Sequence, residues 1–265
     1  NSMISKIRNR IFAILSIIFV FAVVGAFGVL MPQKSSAETG SVEEPSSYTD
    51  VWDGTSDRSF YDFSKNTLML ESAAQLKGFA DMANSGFDFS PYTVKLCVNV
   101  NLNGKEWAPV ENFGGTFDGQ NHTIKNGKIV SDHNNGSGFF GTLNRISFIK
   151  NLVFKEMTAK SDLLYNYAIV AGKNTANGTV FENIELYNCF VNTSSSGSNN
   201  GGLILTKSTG AIQILNCAVY NSMYYGGYSN GVVAASLNST EYQSVVENFV
   251  ALNTFVINPG NSVGY

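Results

Sequence analysis

The chain has 265 residues, room for one large or two small domains, with only 14% charged side chains and a formal net charge of −3. Low charge with 25 glycines and many Asn and Ser suits a turn-rich, strand-rich protein rather than a disordered one. Beyond residue 160 only Lys173 and Lys207 are basic, so no basic stripe tracks phosphates there, which argues against nucleic acid as a partner.

The first 37 residues read as an export signal. Lys6, Arg8 and Arg10 form a basic flank, Ile11 to Met31 is an almost unbroken apolar run, and Ser35-Ser-Ala37 offers a small-residue cleavage site. The run is also long enough to span a bilayer, so an uncleaved N-terminal anchor stays open. Either way the basic flank stays inside, the rest is exported, and the membrane is met only through this segment. The long apolar stretch and sparse cysteine fit a bacterial protein at the cell surface or outside the cell. With the four basic residues of this segment set aside, the remainder carries −7.

Residues 38–66 read as a linker followed by an irregular segment. Asp50, Asp53, Asp57 and Asp62 have the chemistry to hold calcium, but they lack a regular Asp/Asn-Gly spacing, and a solvated acidic face explains them more simply. Residues 68–85 are predicted to be the one clear helix. Ser72 is its N-cap, Leu76, Phe79, Ala80 and Ala83 its apolar face, and Gly86 its stop. One amphipathic helix ahead of stacked strands is expected to cover the open end of the core. Val94 to Leu102 then alternates strictly and is predicted as the first strand.

The most specific local motifs follow: Trp107-Ala-Pro-Val110, then Gly115-Thr-Phe-Asp-Gly119-Gln-Asn-His122-Thr-Ile124-Lys-Asn126. Downstream stand Gly138-Phe-Phe-Gly141 and Ile149-Lys-Asn-Leu152. With the helix and the alternating strand before them, these motifs resemble the GLUG-type repeat proteins of bacterial surfaces. The resemblance is strong over residues 50–157 and holds only as a pattern afterwards, where Ala168-Ile-Val-Ala171, Gly202-Leu-Ile-Leu205 and Gly231-Val-Val-Ala234 keep the sizes but lose the Phe. It implies a parallel β-helix and an extracellular, surface-associated role, and it implies no catalytic residues. The Asp118/His122 pair reads as a turn, since Asp-Gly is a strong turn former.

An internal repeat decides the architecture. Asn126, Asn151, Asn183, Asn216 and Asn248 recur at intervals of 25, 32, 33 and 32 residues. Two places before them stand Ile124, Ile149, Phe181, Ile214 and Val246, and three places after, Ile129, Phe154, Leu186, Val219 and Ala251. Five places after the last three stand Asn188, Asn221 and Asn253. A bend at each Asn lets the residues at −2 and +1 both face inward despite their opposite parity, and Asn tolerates the left-handed backbone that such a bend needs. The five asparagines are expected to face the interior as a stacked ladder. The fold predicted is all-β: a right-handed parallel β-helix with an N-terminal capping α-helix over 67–265, one coil per repeat, incomplete at the C-terminal end. A β-sandwich does not keep five apolar registers.

Cys97 is expected on the polar side of its strand, Cys217 in the core, and Cys189 and Cys217 at different offsets of their coils. No metal or cofactor is expected. The reading of function is an exported, non-catalytic protein presenting a surface for adhesion, with glycans or host and cell-surface proteins as partners. Tyr224, Tyr225 and Tyr228 are its candidate contacts. The alternative is a polysaccharide-cleaving enzyme using Glu182 and Glu247, which share offset −1 two coils apart with Leu215 between them. Lys125 and Lys150 continue that offset and make a surface charge column the simpler account.

Overall fold

Alternation of apolar and polar residues over three to nine positions, punctuated by Asn and Gly, gives short strands that all pair in parallel. A computed structural model describes residues 48–131, 136–161, 167–193, 200–227 and 229–258. They belong to the unit Glu44–Tyr265, and the segment read as an export signal lies outside them. The strands stack as a parallel β-solenoid of about four turns. Among the described residues no helix is long and apolar enough to cross a membrane.

The turns build a bent two-part ladder and two further ladders, of six and four strands. The first part runs Thr67–Leu70, Thr93–Leu96, Gly115–Asp118, the leading halves of Ser147–Lys155 and Thr179–Tyr187, then Ile212–Leu215 and Val245–Glu247. The second runs Thr49–Val51, Asn99–Asn101, Thr123–Lys125, the trailing halves of the same long strands, Ala218–Tyr220 and Val250–Leu252. A third face takes Glu106–Trp107 through Phe255–Ile257, and a fourth runs from Phe140–Leu143 to Ser236–Leu237.

The inward positions line up into columns. Leu68, Val94, Phe117, Ile149, Phe181, Ile214 and Val246 are successive partners on the first face, and Val100, Ile124, Phe154, Leu186, Val219 and Ala251 on the second. Such a side chain contributes about 1.5–3 kcal/mol when fully buried. Burial requires a neighbour on both sides: Ile214 is 0% exposed and Val246, in the last described turn, 42%.

Asparagine makes the bends, as expected. Asn151, Asn183, Asn216 and Asn248 all have φ between 52° and 53°. Ile149 with Leu152, Phe181 with Ile184, and Ile214 with Cys217 are consequently buried on either side of the bend. Two expectations need correction. The column faces outward: Asn183, Asn216 and Asn248 are exposed and Asn151 half-buried. A left-handed residue at a convex corner points its side chain at solvent, and the amides stack there. The asparagine inside the solenoid is Asn174, whose amide donates to Ser208 Oγ at 2.9 Å and whose carbonyl accepts from Thr179 Oγ1 at 2.9 Å.

Asn126 also belongs elsewhere. Lys125 pairs with Lys155, which puts Asn126 beside Glu156 at a second corner shared with Asn188, Asn221 and Asn253, all left-handed. The first corner of that turn is made by Gly119, Gln120 and Asn121. Asp118 pairs with Lys150 and Thr123 with Val153, so this turn carries two extra residues, and the interval of 25 measures between different corners. Ile124 and Lys125 are displaced from their assumed columns for the same reason.

The helix is Ala73–Asn84, shorter than 68–85. Ser72 Oγ accepts from Gln75 N at 3.1 Å, Asp50 Oδ2 accepts from Ala73 N at 2.7 Å, and Gly86 stops the helix with φ 91°. Thr67–Leu70 is a strand instead, because Leu68 and Leu70 are buried while Met69 is exposed, a period of two. Phe79 touches Phe89, Phe113 and Phe117 at ring separations of 4.9–5.5 Å. The expected first strand, Val94 to Leu102, is two strands preceded by two others. One of those, Thr49–Val51, lies within the segment expected to be irregular, next to Trp52, which packs edge-on against Trp107.

Candidate functional site

The residues singled out in the sequence do not converge. Tyr224 stands in the inward column of the third face between Val191 and Val256 and is 0% exposed, so it cannot contact a ligand. Met223, Tyr224 and Tyr225 alternate out, in, out, and burial pushes the Tyr224 phenol up to about 12. Tyr225 is half-buried on the outer side of that face, and Tyr228 lies outside the described residues. Cys189 and Cys217 are buried free thiols, raised by burial to about 12 and about 11, and Cys97 is a half-buried free thiol. The acidic segment is occupied by local turns. Asp53, Asp57 and Asp62 each accept from the backbone and hydroxyl of a Thr or Ser two residues on, which holds their carboxyls below the ordinary range. Among the described residues no three His, Cys, Asp or Glu gather as a metal site would require. Asp118 Oδ1 accepts from Gln120 N at 3.0 Å and from the Asn151 amide at 3.0 Å, while His122 is buried beside Asn99.

The outer side of the first face carries more. Thr116, Phe148, Val180, Gln213 and Val245 are successive partners pointing outward. Alongside run Asp118, Lys150, Glu182, Leu215 and Glu247. Phe148 is 44% exposed although it belongs to a regular strand. A recess of about 310 Å³ lies between Phe148, Lys150, Val180 and Glu182, and a second of about 490 Å³ between Asn177, Ile212, Gln213, Tyr242 and Gln243. Val180, which lines the first, pairs with Gln213, which lines the second, so the recesses lie on neighbouring strands. The two recesses follow one another along the stacking direction as a two-part groove, Phe148 lining the first and Tyr242, 64% exposed, the second.

Its polar lining is held in place. Asn177 Oδ1 accepts from Ala211 N at 2.8 Å and its amide donates to Glu241 Oε2 at 3.1 Å. The Lys150 ammonium stands 4.0 Å from Asp118 rather than pairing with Glu182. Glu182 and Glu247 do share a column two turns apart, with Leu215 between. Both therefore project from the same ladder.

A stacked aromatic pair outside the core is Tyr187 on Tyr220, centroids 4.8 Å apart and 16° from parallel. Their faces cover one another, and Tyr187 donates to Glu185 at 2.7 Å, which raises its phenol to about 12. That pair reads as a ladder within the second face rather than a platform. The chain matches no family model, no curated protein and no solved structure.

Sequence reasoning missed Phe148, Gln213 and Tyr242. The signal for Phe148 was present: it precedes the inward Ile149 in an alternating strand, so it must face out. Tyr242 gave none, since its position depends on a connection of irregular backbone.

Proposed function

We propose that this is an exported, non-catalytic binding protein of a cell surface, whose solenoid presents the first-face groove to an extended glycan. The observation that carries this reading is the exposed Phe148 in a regular strand, in one outward column with Gln213, whose recess Asn177, Tyr242 and Gln243 also line. Aromatic and aliphatic surfaces pack on the apolar faces of sugars, and amides bond their hydroxyls. The basic, apolar N-terminal segment and the resemblance of residues 50–157 to GLUG-type surface proteins support export and a surface role. The helix Ala73–Asn84 serves in this reading as the end cover of the stack, supported by the contacts of Phe79 with Phe113 and Phe117.

The test is to pass the purified chain over immobilised plant, host and bacterial-wall polysaccharides, measuring retention and released reducing ends together. Retention without product is expected. Product that disappears in Glu182→Gln or Glu247→Gln would establish the enzymatic reading instead, and absence of any retention would remove the glycan.

A further inference from the structure

We infer that the groove takes a neutral, linear, β-1,4-linked glycan lying along the solenoid with one sugar over each coil; this deepens the binding reading above and rests on it. The direction follows from the lining. Phe148, Val180, Gln213 and Gln243 come from four successive turns, so the recesses run across the strands. Across one strand the face is only as wide as Ile212–Leu215.

The spacing selects the linkage. Successive outward residues stand about 4.8 Å apart, the distance between neighbouring strands. An extended chain of equatorially linked sugars advances by nearly the same distance per residue, so each ring meets an equivalent position on the next coil. An α-1,4-linked glucose chain coils and loses this register after one or two sugars; an α-1,4-linked galacturonate chain is extended and is excluded by its charge instead. The ribbon form also turns apolar C–H faces toward Phe148 and Val180 and leaves equatorial hydroxyls at its edges for Asn177, Gln213 and Gln243.

Charge and topology narrow the class further. The larger recess is lined by the amides of Asn177, Gln213 and Gln243 with Tyr242 and no basic side chain, and Glu241 bonds Asn177 beside them, which repels a uronate. In the smaller recess Lys150 has Asp118 at 4.0 Å and Glu182 as its ladder partner, so no net positive charge awaits an anionic chain. An extended peptide would need a strand edge for its backbone. The strands lining the groove from Ser147–Lys155 to Ile212–Leu215 are paired on both sides, so this face offers none.

Titration calorimetry of the chain with defined oligosaccharides of two to six sugars tests this. The series are β-1,4-linked glucose, mannose, xylose and N-acetylglucosamine, α-1,4-linked glucose, and α-1,4-linked galacturonate. At least one neutral β-1,4 series is expected to bind ten-fold or more tighter than both α-linked series. Its affinity should rise with length and level off at about four sugars, one per lining coil. Gln213→Ala should lower the plateau affinity about ten-fold with unchanged thermal unfolding. Equal or tighter binding of an α-linked or acidic series, or affinity independent of length, would overturn the inference and leave the glycan-binding reading standing. Binding of no series, with no retention on any polysaccharide, would overturn both.

Discussion

The Asn183 side chain donates to Asn151 Oδ1 at 2.8 Å, across two corners that both hold left-handed backbone. Asn248 repeats the contact to Asn216 at 2.9 Å, and Asn253 to Asn221 at 2.9 Å on the second corner. The residue type therefore meets two demands, conformation and a stacked amide. An exposed amide bond contributes about 0.5–1.5 kcal/mol, and left-handed backbone costs an ordinary side chain about 1–2 kcal/mol. Asn183→Gly should lose only the first and Asn183→Leu both. In denaturant titration Leu should be the more harmful by about 1 kcal/mol; equal losses would show that conformation is irrelevant at this corner.

Glu156 is the one residue at the second corner, between Asn126 and Asn253, that is not Asn. It has φ 54°, and its carboxylate gains only an exposed contact with Lys155 at 4.0 Å. Glu156→Asn should stabilise by about 0.5–1 kcal/mol, since Asn accepts this backbone more readily and can join the ladder from Asn126 to Asn188. An unchanged or lower unfolding midpoint would contradict the role given to the corner.

Gly78 lies within the helix, where Ala would ordinarily stabilise by about 0.5–1 kcal/mol. A Cβ at this position would fall 1.9 Å from the Asp57 carbonyl oxygen. That oxygen is backbone and cannot rotate away. Gly78→Ala should lower stability, and a gain on thermal unfolding would show that the 48–66 segment does not press on the helix.

Burial raises the Tyr224 phenol from 10.0 to about 12 and the Cys189 thiol from 9.0 to about 12. Both groups are neutral when folded, so their contribution is fully present below the ordinary values and is lost as pH rises toward the folded ones. Stability should begin to fall above pH 9. Tyr224→Phe removes one titrating group, worth about 1.4 kcal/mol per pH unit between pH 10 and 12, and should flatten the decline there. An identical alkaline profile would place the Tyr224 hydroxyl in contact with water.

The solenoid was legible because recurrence fixes it: the apolar partners of Asn151, Asn183, Asn216 and Asn248 repeat at nearly one interval, and only stacked coils satisfy that. Which corner Asn126 occupies was not legible. A two-residue insertion at Gln120 and Asn121 leaves the local pattern intact while changing the register, and only pairing across turns resolves it. The outward direction of the amides is not legible from recurrence, because stacking does not require burial. The inward place of Tyr224 is hidden by the run of aromatics around it, and only the parity of Met223–Tyr225 separates it from Tyr225. The groove was least legible, since Asn177, Gln213 and Tyr242 are distant in sequence and belong to three turns.

The claim that the first-face groove is the binding site is tested most directly by comparing variants on two faces. Phe148→Ala and Tyr242→Ala should each weaken retention on the bound polysaccharide by ten-fold or more, while Tyr225→Ala, on the third face, should leave it unchanged, all three unfolding at the parent temperature. Loss of retention in Tyr225→Ala with both groove variants unaffected would contradict the account and move the site to the third face.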